Sequence, residues 1–437
     1  MRGTTLWAGV LGLKQTAIEN VVFDPDGSVI FHVRPMAGQR HRCGRCRRRC
    51  PRYDAGAGRR RWRSLDHGLA LAFVESDAPR VRCREHGVVV AHVPWAVHGA
   101  GHTHTFDAQV AWLVARSSKA TVSELMRIAW RTVGAIIARV WDQTLTEHGG
   151  PAGDLLEGMT RIGIDEISYR RGQLYLTVVV NHDTGHLVWT HEGRNRATLD
   201  QFFDDLGEDR AALITHVSAD SATWISEVVA KRCPTAVQCA DPFHVVKWAN
   251  QAVGTVRAAA WRAARAAGAT HKNGREQGRQ RRDSTGAARE LGHARYALWK
   301  NPENLTDKQR QRLDWIAATH PLLWEAYRLK EGLRKLFTMR GETAIEAFHD
   351  WLTWARTSTV PEFVHLAGRI AAIGSRIEAT LTHGLSNALV ESVNTKIRLL
   401  TRIAYGFHTP QPLIALAMLT RGPYRPQLPG RDPHTCQ

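Results

Sequence analysis

The sequence predicts a multidomain protein in which a mixed α/β sheet lies between a basic, β-rich part and a long helical part. Its 437 residues are enough for two to four domains of the usual size. Apolar and polar residues alternate in short runs before about residue 90 and again between about residues 160 and 240, as in strands. From about Asp107 to Trp141, and again beyond Val245, apolar residues recur at helical spacing.

Composition indicates nucleic acid as the main partner. The chain has 59 lysines and arginines against 41 acidic residues, a net charge of +18 with neutral histidines, and a pI near 10.1. Such a chain attracts polyanions. A hydrophobic content of 43% is enough for several packed cores and excludes a disordered tail.

Two further features restrict location and redox chemistry. No run of about eighteen uncharged apolar residues occurs, which argues against a transmembrane helix, and no cleavage site follows the short apolar run near the amino terminus. Seven cysteines are too few for a secreted disulfide scaffold, and four of them lie between Cys43 and Cys83. We therefore expect a cytoplasmic protein that binds a metal.

Residues 1–95 predict a small β-rich module. Val21–Pro35 alternates around an Asp-Pro-Asp-Gly turn, which is typical of a hairpin, and Leu69–Val74 and Arg80–Cys83 predict two more strands. Two ligand pairs share a two-residue gap that directs both side chains at one tetrahedral metal, which predicts a Zn²⁺ site formed by Cys43, Cys46, Cys83 and His86. Other ligands remain open at this stage: Cys50, His41 and His67.

Arginine dominates the same module. Asp54 is the only acidic residue within Arg40–Arg63, whereas a merely solvated face would mix charges. Guanidinium groups on a small rigid module suit phosphate contacts. The candidate DNA contacts here are Arg47, Arg48, Arg49, Arg60 and Arg61.

Residues 105–150 predict three short helices, of which the last two resemble a helix-turn-helix between Thr121 and Trp141. Arg127, Arg131 and Arg139 are expected to point outward, and the first two are candidate DNA contacts. The apolar seam is predicted to consist of Leu125, Ile128, Val133, Ile136, Ile137 and Val140.

A linker at Pro151–Gly158 leads into a predicted α/β part, residues 159–250. Three antiparallel strands come first, and helices and strands then alternate. The predicted order is strands Arg161–Ile167, Gln173–Asn181 and His186–His191, helix Thr198–Leu206, strand Leu213–Ala219, helix Thr223–Lys231 and strand Ala236–Ala240.

Residues 251–384 are predicted to be helical, with a polar, arginine-rich break near Gly268–Gly286 and a second break at Leu381–Asn387. Four tryptophans of this part either brace DNA or, as we favour, mostly pack in its core: Trp261, Trp299, Trp315 and Trp324.

Three carboxylates in this framework suggest phosphodiester chemistry. Asp165 is predicted at the end of one strand, Asp220 at the end of the next strand pattern, and Glu391 on a helix able to pack across the sheet. Three acids can hold two Mg²⁺ or Mn²⁺ ions, which activate a nucleophilic oxygen and stabilise the leaving 3′ oxygen. Any single acid is more often a surface charge, but three in this order favour a catalytic site.

Four stretches resemble bacterial insertion-sequence transposases of the DDE type, in particular the ISL-three family. They are Gly163–Ser168 with the Arg-Arg-Gly and hairpin that follow, Asp241–Lys247, Leu385–Lys396 and Arg402–Phe407. The helical stretch Asn304–Leu366 and the cysteine module are similar too, so the resemblance covers nearly the whole chain. It implies an RNase H-like core that is interrupted by an all-helical insertion and completed by residues 385–437.

By this resemblance the DDE triad falls on Asp165, Asp220 and Glu391, with Asp241 and His244 as an accessory motif. Lys396 and Arg398 are further candidate DNA contacts. The family implies binding of terminal inverted repeats, metal-dependent cleavage and strand transfer, and a homodimer at paired DNA ends near the bacterial nucleoid. Two other functions stay open: a regulator without catalysis, and an RNase H-like nuclease that does not join strands.

Overall fold

The computed structural model describes Trp7, Gly172 and residues 9–170, 174–220, 222–269 and 286–431. The chain forms two compact units, the first comprising Met1–Gly153 with Ile397–Gln437 and the second Asp154–Lys396. The segment 385–437, which the sequence groups with the central sheet, is therefore divided between the two units.

The first unit begins with two small sheets. The predicted hairpin is present as β1 (Thr16–Phe23) and β2 (Val29–Pro35), which pair antiparallel, and β2 pairs parallel with β5 (Ala70–Asp77). The four-stranded sheet has the order β1 (Thr16–Phe23), β2 (Val29–Pro35), β5 (Ala70–Asp77), β4 (Arg59–His67), and the three-stranded sheet has the order β3 (Arg52–Asp54), β6 (Arg80–Cys83), β7 (Gly87–Val90).

Strand β4 was not predicted, because its sequence is dominated by arginine. Glu75 on the neighbouring β5 accepts hydrogen bonds from Arg59 Nε at 2.8 Å and Arg61 Nε at 2.6 Å, so the pairing of β4 with β5 neutralises the charge. Trp62 on β4 is buried and meets Trp95 edge-on at 5.5 Å. An apolar anchor and cross-strand ion pairs thus hold a strand that alternation alone does not reveal.

Three helices follow, as predicted: α1 (His104–Val114), α2 (Lys119–Leu125) and α3 (Trp130–Glu147). The Ser118 side chain caps α2 by accepting from Thr121 N at 3.0 Å. The predicted seam is correct at Val133, Ile136 and Ile137, which are fully buried. It is wrong at Leu125, which ends α2 and is 60% exposed.

The carboxy-terminal segment packs into this unit, where helix Pro410–Arg421 lies against α3. A methyl group on Gly134 of α3 would stand 3.7 Å from the Pro412 ring. Lys119 Nζ lies 3.2 Å from the ring centre of Trp130 and 5.3 Å from that of Phe407, so one buried cation joins α2, α3 and the carboxy-terminal segment. Burial lowers the pKa of Lys119 to about 8.

The second unit is built on a five-stranded sheet, and the predicted order of strands and helices is found. The first three strands along the chain pair antiparallel. The first of them, β8 (Arg161–Arg170), also pairs parallel with β11 (His216–Ala219), which pairs parallel with β12 (Val237–Ala240). The order across the sheet is β10 (Leu187–Glu192), β9 (Leu174–Asn181), β8 (Arg161–Arg170), β11 (His216–Ala219), β12 (Val237–Ala240), and the interspersed helices are α4 (Arg196–Leu206), α5 (Glu208–Ala211) and α6 (Thr223–Arg232). Strand β8 runs beyond the predicted Ile167 because β9 continues to pair with it.

After Ala240 the described residues of this unit form helices and no strand. Prolines at the first turn start the helices Pro321–Leu336 and Pro361–Ala371, and Gly384 ends the helix Gly374–His383 in a left-handed conformation. The helices are α7 (Pro242–Ala269), α8 (Gly286–His293), α9 (Arg295–Trp299), α10 (Asp307–Thr319), α11 (Pro321–Leu336), α12 (Glu342–Thr357), α13 (Pro361–Ala371), α14 (Gly374–His383) and α15 (Ala388–Ile403).

The second predicted break is found between α14 and α15, whereas residues 270–285 of the first lie outside the described residues. Trp261, Trp315 and Trp324 pack against the helical core, while Trp299 is 42% exposed. Among the described helices, none has both the length and the apolar character that crossing a membrane requires.

Candidate active site and zinc centre

Three aspartates stand in one row just beyond the parallel pairing of β8, β11 and β12. The sequence predicted Asp165 at the end of its strand, but Asp165 lies within β8, because pairing with β9 extends that strand to Arg170. Ile164 of β8 pairs with Ala219 of β11, and Ala219 pairs with Ala240 of β12. Neighbouring strands lie about 4.8 Å apart, so this register places the next residues of the three strands side by side. These residues are Asp165, Asp220 and Asp241.

Asp165 is held by two hydrogen bonds. Its Oδ1 accepts from Glu166 N at 2.8 Å, and its Oδ2 accepts from Asn394 Nδ2 of α15 at 2.8 Å. Burial raises the pKa of Asp165 to about 6, and the charges of Glu166 and Asp220 add to the effect. A carboxylate that is costly to ionise here would gain by ligating a divalent cation.

His244, on the first turn of α7, joins the other two aspartates of the row. Its Nδ1 is 2.8 Å from Oδ2 of the buried Asp241, and its Nε2 is 3.6 Å from Asp220 Oδ2. The hydrogen bond to Asp241, with the charges of Asp220 and Asp165, raises the pKa of His244. The raised pKa favours the charged imidazolium, which lies within ion-pair distance of Asp220.

Glu391 lies in the first turn of α15, and its backbone N–H donates to Asn387 O at 2.8 Å. Val390 beside it is fully buried against β8. A methyl group on Gly163 would overlap Val390 and His182, so only glycine lets the helix approach this closely. Glu391 lies on this closely packed helix, one turn before Asn394, which donates to Asp165.

A buried polar network fixes this helix to the sheet. Asn387 Nδ2 donates to Ile164 O at 3.1 Å, and Asn387 Oδ1 accepts from the Ser218 hydroxyl. Because Ser218 donates there, His182 Nε2 donates to Ser218 Oγ at 2.8 Å. Burial lowers the pKa of His182 to about 4, which keeps it neutral. The network joins β8, β11 and the start of α15.

The sequence did not assign two side chains that the structure brings to this site. Asn394 binds Asp165, and its Oδ1 is buried and meets no hydrogen-bond donor among the described residues. Glu166 is almost fully buried and lies 3.4 Å from Arg194, whose guanidinium stacks on Tyr175 at 5.0 Å. The position of Asn394, one helical turn after Glu391, was the available indication.

The four predicted zinc ligands lie together in the first unit. Cys43 Sγ is 3.8 Å and Cys83 Sγ is 3.6 Å from His86 Nδ1, and the Sγ atoms of Cys46 and Cys83 are 3.7 Å apart. A tetrahedral Zn²⁺ with Zn–S of about 2.3 Å separates its ligand atoms by roughly 3.5–3.8 Å, so the cluster fits the ion. Within the described chain, no other group of three histidine, cysteine or acidic side chains has its ligand atoms all within 4.8 Å. The three candidate acids Asp165, Asp220 and Glu391 are thus more widely spaced.

The chemistry of the cluster also suits zinc. Hydrogen bonds from the backbone and side chain of His86 lower the pKa of Cys83 to about 6, which favours the thiolate. Cys50 is buried beside the cluster but donates to Arg48 O at 3.4 Å, and His67 packs between Trp7 and Phe31 in the neighbouring core.

Three models of known protein families match parts of the chain. Residues 162–417 match a transposase family model, residues 91–141 match the helix-turn-helix domain of transposase family ISL3, and residues 39–86 match the zinc-finger of transposases IS204, IS1001, IS1096 and IS1165. The chain belongs to the ISL3 family of transposases.

Similar curated proteins cover nearly the whole of this ISL3 chain. The transposase for insertion sequence element IS1557 of Mycobacterium tuberculosis, from strains H37Rv and CDC 1551, is 54% identical over 447 residues, with 99% of each chain covered. The transposase for insertion sequence element IS1001 of Bordetella parapertussis is 25% identical over 387 residues, covering 88% of this chain and 89% of the relative.

The helix-turn-helix of this ISL3 transposase is its DNA-binding domain. The prediction that Arg139 points outward from it is wrong. Arg139 does not face solvent: its Nε and Nη2 donate to the two carboxylate oxygens of buried Asp107 at 2.8 and 2.9 Å. Arg131, on the first turn of α3, is exposed. Arg127 lies in the turn between α2 and α3. Its φ of 52° is in the left-handed region, and its side chain donates to Leu69 O at 3.1 Å.

The candidate DNA contacts of the ISL3 zinc module differ in whether their side chains are exposed or already bound to other protein groups. Arg47, Arg48 and Arg49 are exposed at the zinc cluster, and Arg48 lies 3.5 Å from Glu85. Arg60 instead donates to Ala100 O at 2.6 Å, and Arg61 is bound by Glu75 and Asp24. The β4 arginines thus already serve protein contacts, which sequence alone does not show. Lys396 and Arg398 are exposed on α15.

Proposed function

We propose that this ISL3 transposase binds the terminal inverted repeats of its element and catalyses DNA cleavage and strand transfer with the triad Asp165, Asp220 and Glu391. The observation that carries the proposal is the strand register, which aligns Asp165 with Asp220 at one sheet edge. The hydrogen bond from Asn394 to Asp165 supports it, because that bond brings the helix of Glu391 to the same edge.

The fold proposal is an RNase H-like core. Three antiparallel strands followed by two parallel ones, in the order β10-β9-β8-β11-β12, support it. The helices from α7 to α14 would then be an insertion between β12 and α15. The proposed domains are the zinc module 1–95, the helix-turn-helix 105–150, the first part of the core 159–250, the insertion 251–384 and the last part of the core 385–437.

The triad would hold two Mg²⁺ or Mn²⁺ ions. Carboxylate oxygens are the ligands these ions prefer, and the orphaned Oδ1 of Asn394 is a suitable acceptor for a hydrogen bond from a bound water. Such ions would stabilise charge on the phosphoryl group and on the leaving oxygen. Asn394 orients Asp165, and the Asp241–His244 pair orients Asp220 as the accessory motif.

In the cleavage step a water oxygen bonds to phosphorus, the P–O3′ bond breaks, and the leaving 3′ oxygen takes up a proton, so a 3′-hydroxyl is freed. In strand transfer that hydroxyl replaces the water and attacks a target phosphodiester, whose own P–O3′ bond breaks. In both steps the chain would hold the DNA and keep the carboxylates of Asp165, Asp220 and Glu391 in position. The exposed cations Arg47, Arg48, Arg49, Arg131, Lys396 and Arg398 suit the phosphates, and a homodimer acting in the bacterial cytoplasm, near the nucleoid, would pair two ends.

The test is cleavage and strand transfer by the full chain on duplexes from the DNA that borders its coding sequence, with and without Mg²⁺. Asp165→Asn, Asp220→Asn and Glu391→Gln should each bind the ends and form no nicked or joined product. Asp142→Asn, an exposed acid of α3, serves as the control. Salt-sensitive binding of ends without cleavage in any metal would contradict the proposal and favour a regulator, and nicking without joining would favour a nuclease.

A further inference from the structure

Tyr405 is an exposed aromatic side chain whose exposure the proposed chemistry leaves unexplained. It lies two residues after the end of α15, and 89% of its surface is open to solvent. Leu399 and Ile403, one turn apart on the helix, are 47% and 41% exposed. Three large apolar or aromatic side chains therefore stand uncovered at one helix end.

The backbone at Tyr405 is in a conformation that glycine adopts more easily. Its φ is 55°, in the left-handed region, and Gly406 N donates to Thr401 O at 2.8 Å to close the helix end. Tyrosine is unfavourable at this position of a helix cap, where glycine is usual. A residue kept in an unfavourable conformation, with no packing to hold it, suggests a use for its side chain.

The chain on both sides of Tyr405 is anchored. Ala404 before it is buried, and Phe407 after it is buried within reach of Lys119. His408 meets Trp130 of α3 edge-on at 6.0 Å. The ring of Tyr405 therefore projects from a fixed support and not from a free loop.

The sequence on both sides of Tyr405 carries positive charge and no negative charge. Between Glu391 and Asp432 the sequence has no acidic residue and six cations: Lys396, Arg398, Arg402, Arg421, Arg425 and Arg431. Arg398 and Arg402 are exposed at the same spacing as Leu399 and Ile403, so each cation stands next to an apolar side chain. Phosphates complement such a face, and bases complement its apolar stripe.

We propose that Tyr405 is a DNA-stacking residue, whose ring inserts between adjacent bases of the duplex held by Arg398 and Arg402. The inference rests on the proposed function for the identity of the DNA, which is the element's end. Insertion of an apolar or aromatic side chain unstacks one base step and bends the duplex. Leu399 and Ile403 would cover the edge of the opened step.

The experiment compares Tyr405→Gly and Tyr405→Phe with the unchanged full chain, on duplexes tiled across the DNA that borders the coding sequence. Binding is measured by anisotropy without Mg²⁺, so that cleavage plays no part, and unstacked thymines are detected by permanganate. Glycine suits the local backbone, so its variant should melt no lower than the parent. Tyr296→Ala, which removes a tyrosine that is 64% exposed on α9, is the matched control.

Tyr405→Gly should bind the ends about tenfold more weakly and lose a permanganate-reactive step that Tyr405→Phe and Tyr296→Ala retain. Equal affinity and an unchanged reactive step in Tyr405→Gly would overturn the stacking role, as would a parent that leaves every step stacked. Cleavage with Mg²⁺ is scored separately. If the parent cleaves and Tyr405→Gly binds the ends and unstacks bases as the parent does, only the stacking role is refuted. If unstacking depends on Tyr405 but the parent does not cleave, only the proposed catalysis is refuted.

Discussion

At the scale of single residues, Gly163 determines how closely the helix of Glu391 approaches the sheet. Gly163→Ala should lower the free energy of unfolding by about 1–3 kcal/mol and abolish cleavage, because the added methyl overlaps buried Val390 and His182. Thermal unfolding and the cleavage assay measure the two effects. Gly254→Ala on α7, where a methyl meets nothing within 4 Å, is the matched control and should be neutral or stabilise by about 0.5–1 kcal/mol. Normal cleavage by Gly163→Ala would contradict this role.

Asn394 is the residue that joins the helix of Glu391 to Asp165. Asn394→Ala should lower kcat by about 10–100-fold while end binding stays unchanged, because the partner that orients Asp165, the proposed metal ligand, is lost. Single-turnover cleavage and anisotropy separate the two quantities. Ser392→Ala, exposed on the same helix, should cleave at the normal rate. If Asn394→Ala lost DNA binding and rate together, Asn394 would belong to the DNA interface.

At the scale of elements, two arginines of α3 have opposite roles. Arg139→Ala should lower the free energy of unfolding by about 3–5 kcal/mol, because it leaves the buried charge of Asp107 without its bidentate partner. Arg131→Ala should melt normally but bind DNA more weakly, and the slope of log affinity against log salt should fall by about 1. Normal melting of Arg139→Ala together with loss of DNA binding would restore the outward position that the sequence predicted.

The three-stranded sheet around the zinc cluster should depend on the metal more than on an apolar core, since its strands are only three to four residues long and few residues are buried there. His86→Ala should abolish stoichiometric zinc binding and unfold the β3-β6-β7 sheet, because a structural zinc supplies folding energy directly. Elemental analysis and amide hydrogen exchange measure these effects. Cys50→Ser should keep zinc, and its loss there instead would make Cys50 a ligand.

At the scale of the whole molecule, the charge of the active site links stability to pH and magnesium. The folded-state pKa of Asp165 is raised from 3.8 to about 6, so ionising Asp165 costs the metal-free protein stability as the pH rises through this range. The raised pKa of His244 likewise makes the protein less stable at higher pH, because the stabilising charge of His244 is lost as the pH rises through its folded-state pKa. Metal binding needs the ionised carboxylate.

The increase in melting temperature produced by Mg²⁺ should therefore be larger at about pH 8 than at about pH 5. Comparing samples with and without Mg²⁺ at each pH cancels the titration of buried histidines of the first unit such as His92, whose pKa burial lowers to about 4. Asp165→Asn should remove most of the increase. An equal increase at both pH values, or one that survives in Asp165→Asn, would contradict magnesium binding at this residue.

The order of elements could be read from the sequence because helices and strands follow local periodicity. The spacing of Cys43 with Cys46 and of Cys83 with His86 is likewise a local pattern that predicts a metal site, and the structure brings these four side chains together, whereas the sequence had left Cys50, His41 and His67 open. Strand β4 was missed for the opposite reason. Its arginines are compatible with a strand only because Glu75, sixteen residues away from Arg59, neutralises them across the sheet.

By itself, the sequence determined the α/β order of the chain, the zinc ligand pairs, the helix-turn-helix and the positions of the three acids, whose catalytic role stays a prediction. Only the tertiary structure decided which residues share a strand edge, as Asp165, Asp220 and Asp241 do. It also decided that Arg139 is bound to Asp107 and that Asn394 holds Asp165. The physical reason is that these contacts join residues far apart in sequence, so pairing and packing create them and no local pattern encodes them.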